Sequence, residues 1–175
     1  MIRERFGEET WQSVLNTSGV PEDSFLTMRS YDDAITYQLA RAASEVLNAP
    51  VADCLEMFGE YWVLEAATKS YGSLMDAAGQ DLVAFLENLN TLHDRITSTF
   101  LNYTPPEFRI EKTADKQYAI HYISTREGLT AFVIGLLRGL AHRFNTPLEI
   151  LNQTHLPVEK GAHTVFDVSI SDKVI

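Results

Sequence analysis

Ala119-Ile-His-Tyr-Ile-Ser-Thr-Arg126 carries an apolar–polar alternation. A period of two predicts a β-strand, and it puts Tyr122, Ser124 and Arg126 on one face with His121 on the other. That face presents a phenol, a hydroxyl and a guanidinium in a row. All three donate hydrogen bonds, and the guanidinium can grip a carboxylate or phosphate through two parallel bonds. The row is therefore suited to holding an anion. By spacing alone it fits equally the solvated face of an edge strand with an incidental arginine.

Working outward, Phe108–Lys112 reads as a strand joined to Tyr118–Ser124 through the polar turn Ala114–Gln117. Downstream, Glu127–Phe144 is helical, with Leu129, Phe132, Val133, Leu136, Leu137 and Leu140 as its apolar positions. Leu148–His155 and Thr164–Ile170 read as two further strands joined through Pro157 and Gly161. Upstream, Pro105-Pro106 closes a helical region. Its elements are Glu9–Ser18, then Asp32–Leu47 capped by Asp32 or Asp33, then a helix opened by Pro50 that carries Leu55, Phe58, Trp62 and Val63 and ends near Ser70. A short turn Ser73–Ala78 closed by Gly79 follows, and then a long helix Asp81–Phe100. Helices first, then two strands, a helix and two strands, predict an α+β fold with a roughly four-stranded antiparallel sheet. The expectation is one domain over 1–175, mainly helical through 104 and sheet-containing from 105.

The length of 175 residues and a hydrophobic share of 45% suit a single domain with an ordinary core. With 14 basic and 24 acidic side chains the net charge is −10, which disfavours nucleic acid and anionic membranes as partners. An anionic ligand is expected only at a local cluster such as the one around Arg126. Cys54 is the single cysteine, so no internal disulfide or thiolate metal cluster is expected, and it reads as a small buried hydrophobe. Met1–Gly7 lacks the apolar core of a signal peptide, and no apolar run reaches membrane-spanning length. A cytoplasmic protein is the expectation.

Within the long helix the apolar stripe is Leu82, Phe85, Leu86, Leu89, Leu92, Ile96 and Phe100. His93 follows Leu89 by four positions and Leu86 by seven, so it belongs to the buried side. An imidazole there is either a core histidine satisfied by a backbone carbonyl or a single axial ligand to a haem iron. His121, His142, His155 and His163 show no i, i+3 or i, i+4 pairing, which argues against a multi-histidine zinc or di-iron site. No nucleophile–base–orienter spacing or paired acidic motif suggests an enzyme.

Taken in order, these segments resemble the haem nitric oxide/oxygen-binding (H-NOX) family, the sensor module of soluble guanylyl cyclase and of stand-alone bacterial proteins. Asp32-Asp-Ala-Ile-Thr-Tyr-Gln-Leu39 with Ala42-Ala-Ser-Glu-Val-Leu47, Phe58-Gly-Glu-Tyr-Trp62, Tyr71-Gly, Phe85-Leu-Glu-Asn-Leu-Asn-Thr-Leu-His-Asp94, Pro105-Pro-Glu-Phe108 and Tyr122-x-Ser124-x-Arg126 carry the resemblance. It implies a haem b whose iron is ligated by His93, whose propionates are clamped by Tyr122, Ser124 and Arg126, and whose macrocycle is pressed by Pro106. Trp62 and Phe132 fall where distal-pocket residues lie. The implied ligand is nitric oxide, with carbon monoxide as a second gas. Little stable oxygen binding is implied, because Phe132 offers no hydrogen-bond donor. The implied output is a partner such as a histidine kinase or a diguanylate cyclase, with no catalysis in the domain itself. The alternative is a haem-free interaction module of the same fold. Family members begin with a longer first helix, of which Ile2–Phe6 reads as a remnant. A reduced distal cover and an exposed N-terminal apolar surface, suited to a homodimer, are the corresponding expectations.

Overall fold

The alternating run forms an interior strand, not an edge. In the computed structural model, which describes residues 1–21, 33–97 and 104–173, β1 (Glu107–Ala114), β2 (Gln117–Ser124), β3 (Leu148–Leu156) and β4 (Ala162–Ile170) make one antiparallel sheet in the order β1-β2-β4-β3. Tyr122 lies opposite Phe108 on β1 and Thr164 on β4. Its face is the inner one, where Phe108, Ile120, Phe166, Val168 and Ile170 are buried against the helices. Tyr122 is only 3% exposed, so the solvated-edge reading fails.

The strand stops at Ser124. Arg126 therefore lies past the reach of the period-two rule, in the irregular stretch that leads to helix α8 (Thr130–Phe144). Ser124 Oγ accepts a hydrogen bond from the Arg126 backbone N–H at 3.1 Å, a local side-chain turn that sets the exit of the chain. Gly128, at φ +72°, holds a left-handed conformation that disfavours most side chains. It delays the helix from the expected Glu127 to Thr130.

The helical part comprises α1 (Ile2–Phe6), α2 (Glu8–Ser18), α3 (Asp33–Leu47), α4 (Val51–Tyr61), a π-helical stretch over Trp62–Ala67, α5 (Thr68–Ala78), α6 (Leu82–Glu87) and α7 (Leu89–Thr97). The first helix is as short as expected, the five residues Ile2–Phe6. α1 joins α2 at Gly7 (φ +89°), and Ile2 is buried with Val14, Ala42, Ala43 and Cys54 in a small second core. Burial pushes the Cys54 thiol pKa up, as the sequence reading of an inert buried cysteine requires. The helix opened by Pro50 runs through the π-helical stretch to about Ser70, where Tyr71 (φ −133°, ψ 15°) is non-helical and separates it from the further helical turns that end at Ala78, as expected. The helix expected over Asp81–Phe100 starts as foreseen, with Asp81 Oδ1 accepting from the Ala84 N–H at 2.9 Å, but it breaks at Asn88 (φ −94°, ψ 3°). Asp32 and Phe100 lie outside the described residues.

α4 and α8 cross backbone to backbone. A Cβ at Gly59 would stand 2.2 Å from the Phe132 carbonyl oxygen, and one at Gly135 would stand 2.0 Å from that of Glu56. The Phe58 and Phe132 rings meet at 5.2 Å along this crossing, and Arg138–Glu56 and His142–Glu60 ion pairs flank it. Leu82, Phe85, Leu86, Leu137 and Val63 then fill the space between these helices and the inner face of the sheet. Among the described residues no helix is long and apolar enough to cross a membrane.

Candidate functional site

α7 brings His93 against the start of the sheet. Its ring lies 6.0 Å from the Phe108 ring, and Phe108 lies 5.6 Å from Tyr122. The three rings thus form a row from α7 across β1 to β2. His93 Nδ1 is buried and has no hydrogen-bond partner. Leaving a buried polar atom unsatisfied costs about 1–3 kcal/mol, so Nδ1 lacks the partner that a fully satisfied core histidine would give it, although the Pro106 backbone bonds to the ring. Burial pushes the His93 pKa below the ordinary histidine value, opposed by the nearby Pro106 carbonyl and the Asp94 charge. The imidazole is therefore neutral at neutral pH, the form in which histidine binds a metal.

Asn90, one turn before His93, was not singled out from sequence. Its Nδ2 donates to the Phe108 carbonyl at 2.7 Å, and its Oδ1 accepts from the Phe108 N–H at 2.9 Å. One side chain thereby stands in for a neighbouring strand and pins α7 to β1, directly after Pro105-Pro106. The available signal was a polar residue three positions before His93, on the same side of the helix. Asn90→Leu is expected to lower unfolding stability by about 2 kcal/mol, since it removes both bonds and strands two half-buried backbone groups. An unchanged urea midpoint would show that the clasp contributes nothing.

Tyr122 and Ser124 share the inner face of β2, and the half-buried Arg126 follows just past its end. On another side of the helical part, Phe58 links the two aromatic residues singled out from sequence. It packs 5.2 Å from Phe132 on α8 and 6.2 Å, edge on, from Trp62. Phe132 is half-buried, whereas Trp62 is 41% exposed. A role for Trp62 in lining a closed pocket therefore rests on the covered part of its surface only, and Phe58 is the better-buried neighbour.

The Haem-NO-binding family model matches residues 1–152. The chain belongs to the Haem-NO-binding family. Soluble guanylate cyclase gcy-32 of Caenorhabditis elegans is 31% identical over 146 residues, covering 82% of this chain and 21% of the relative. For soluble guanylate cyclase gcy-37 of the same organism the identity is 29% over 180 residues, with 98% of this chain and 25% of the relative covered. The chain thus spans about a fifth to a quarter of the length of these curated relatives. Among solved structures, an H-NOX protein from S. oneidensis in the Fe(II)NO ligation state aligns with a TM-score of 0.81 at 19% identity, covering 98% of this chain and 94% of that one. An Fe(II) unliganded H-NOX mutant from K. algicida aligns with a TM-score of 0.80 at 19% identity, with 99% and 92% covered.

Haem-NO-binding domains are haem-based gas sensors, and the α+β architecture expected from sequence is that of the H-NOX structures. In this Haem-NO-binding domain no group of three or more His, Cys, Asp or Glu is placed to hold a metal among the described residues. What the domain does offer is the half-buried imidazole of His93, with its Nδ1 enclosed. Tyr61, next to Trp62, is tied to the N-terminal helix. Its hydroxyl donates to the Glu4 carboxylate on α1, and that bond pushes its pKa to about 12.

Proposed function

We propose that this domain holds one haem b on His93 and reports nitric oxide to a partner protein. The observation that carries the reading is the buried, unpartnered Nδ1 of a neutral His93 on the sheet side of α7. When bound, the haem supplies an iron with one position open to a diatomic gas, nitric oxide or carbon monoxide. His93 would hold the iron through its imidazole. Tyr122, Ser124 and Arg126 give two hydroxyl donors and a guanidinium to the propionates, which lets a chain of net charge −10 keep an anionic cofactor. Pro106, immediately before β1, would contact the haem. Phe132 and Phe58 would face the gas, with the exposed Trp62 edge-on behind Phe58.

His93 and Asn90 sit one turn apart on α7, so a change in the hold on His93 passes to α7. Through the Asn90–Phe108 clasp it reaches β1 and the sheet. A gas signals this way only if it binds two states of the domain with different affinity. The output is a catalytic signalling protein, such as a guanylate cyclase, a histidine kinase or a diguanylate cyclase. The rival, a haem-free interaction module of the same fold, leaves the orphaned imidazole nitrogen without a purpose.

Absorption spectra of the protein purified with adequate haem supply test the reading. A Soret band that shifts when nitric oxide meets the ferrous form is expected. In air the reduced protein is expected to oxidise without a persistent oxy spectrum, because Phe132 and Phe58 offer no donor. A protein with no Soret band at all would favour the haem-free module, and a lasting oxy spectrum would overturn the gas preference.

A further inference from the structure

The outer face of the sheet brings two histidines together that are 42 positions apart in sequence. His121 lies opposite Arg109 on β1 and Val165 on β4, while His163 lies opposite Ile123 on β2 and Leu156 on β3. The two imidazoles are therefore diagonal neighbours across the β2–β4 pair, on the face away from Tyr122. His121 Nδ1 and His163 Nε2 stand 3.0 Å apart, and the rings are 5.3 Å apart at 49°. Both side chains are half-buried, held by the sheet yet reachable from water.

We propose that His121 and His163 form a two-histidine site for a borderline divalent metal ion, with Cu2+ held more tightly than Zn2+. Metal–imidazole bonds are about 2.0–2.1 Å long. Two nitrogens cis on a tetragonal Cu2+ then stand about 2.9 Å apart, and two on a tetrahedral Zn2+ about 3.4 Å. The observed spacing already lies in this range, so rotation of the two rings, without movement of the strands, would turn both lone pairs onto one ion. Without metal the contact needs one ring N–H to donate to the other ring's bare nitrogen. Binding the metal needs the donating ring in its other tautomer, with its proton moved to the far ring nitrogen, so that both imidazoles stay neutral and each turns a lone pair to the ion. No third His, Cys, Asp or Glu stands with the pair among the described residues, so water completes the coordination. Arg109, opposite His121, has its charge matched by Glu107 at 2.7 Å. The Irving–Williams order places Cu2+ above Zn2+ at such a site.

Calorimetric titration of the as-purified protein with Cu2+ alone, and separately with Zn2+ alone, tests the site. One ion per chain is expected, bound more tightly for Cu2+. His121→Ala and His163→Ala are each expected to weaken binding about tenfold or more, a change of roughly 1.4 kcal/mol or more. His142→Ala and His155→Ala are expected to leave it unchanged, and circular dichroism checks that every variant is folded. Absence of a stoichiometric site, or a site that survives loss of both imidazoles, would overturn the assignment.

Discussion

Replacing His93 with glycine is expected to strip the domain of haem, and free imidazole is expected to restore it. The substitution removes the one buried imidazole whose Nδ1 lacks a partner, and leaves a space of imidazole shape between α7 and Phe108. α7 itself stays in place, because Asn90 holds Phe108 through both backbone groups. Glycine in a helix interior costs only about 1 kcal/mol relative to alanine, so the fold should survive and far-UV circular dichroism should be nearly unchanged. Haem retention is expected to fall about a hundredfold or more, roughly 3 kcal/mol or more. Added imidazole would enter the space and return a Soret band near its original position. Retention of haem with an unaltered spectrum in His93→Gly would remove His93 from the ligand role and sink the central proposal.

How far such roles could be read from sequence differs from element to element. The stripe Leu82, Phe85, Leu86, Leu89, Leu92 needs only helical period, and it placed His93 on the buried side although the helix is broken at Asn88. A break of that kind is invisible to periodicity, because α6 and α7 keep their apolar residues in phase across it. Tyr122 and Ser124 were legible as one face of a strand. Which face was inward was not, since strand order is settled by pairing with β1 and β4 rather than by anything local to β2. Arg126 shows the limit of period two, which lapses once the strand ends and Gly128 turns the chain. Asn90 and the His121–His163 pair escaped for another reason. Each acts by contact across the fold, over 18 and 42 positions respectively, and a hydrogen bond of that range leaves no spacing rule behind. The short first helix Ile2–Phe6, closed at Gly7, was legible from the sequence, whereas the burial of Ile2 in the second core, a contact across the fold, was not.

Gly135→Ala is expected to destabilise the domain by about 3 kcal/mol, against the intrinsic preference of helices. On propensity alone alanine should gain about 1 kcal/mol over glycine in a helix interior. Here the new Cβ would meet the Glu56 carbonyl oxygen at 2.0 Å, its carbon at 2.8 Å and its Cα at 2.9 Å. All three are backbone atoms of α4, so no side chain can swing away. Relief requires the helices to separate, which opens the Phe58–Phe132 contact and pulls Gly139 from Val63, where the Cβ clearance is 2.9 Å. Overpacking against a well-filled core costs about 1–3 kcal/mol where side chains can adjust, and a rigid backbone neighbour puts this site at the upper end. Gly72→Ala is the matched control, for a Cβ there meets nothing within 4 Å, and it should be neutral or mildly stabilising. Urea unfolding of the two variants beside the parent decides the matter. If both midpoints move upward together, helix propensity governs and the close crossing of α4 and α8 is wrong. If only Gly135→Ala falls, Gly59 and Gly135 are the residues that let Phe132 reach Phe58. The wall proposed to face the gas then depends on two glycines that carry no chemistry of their own.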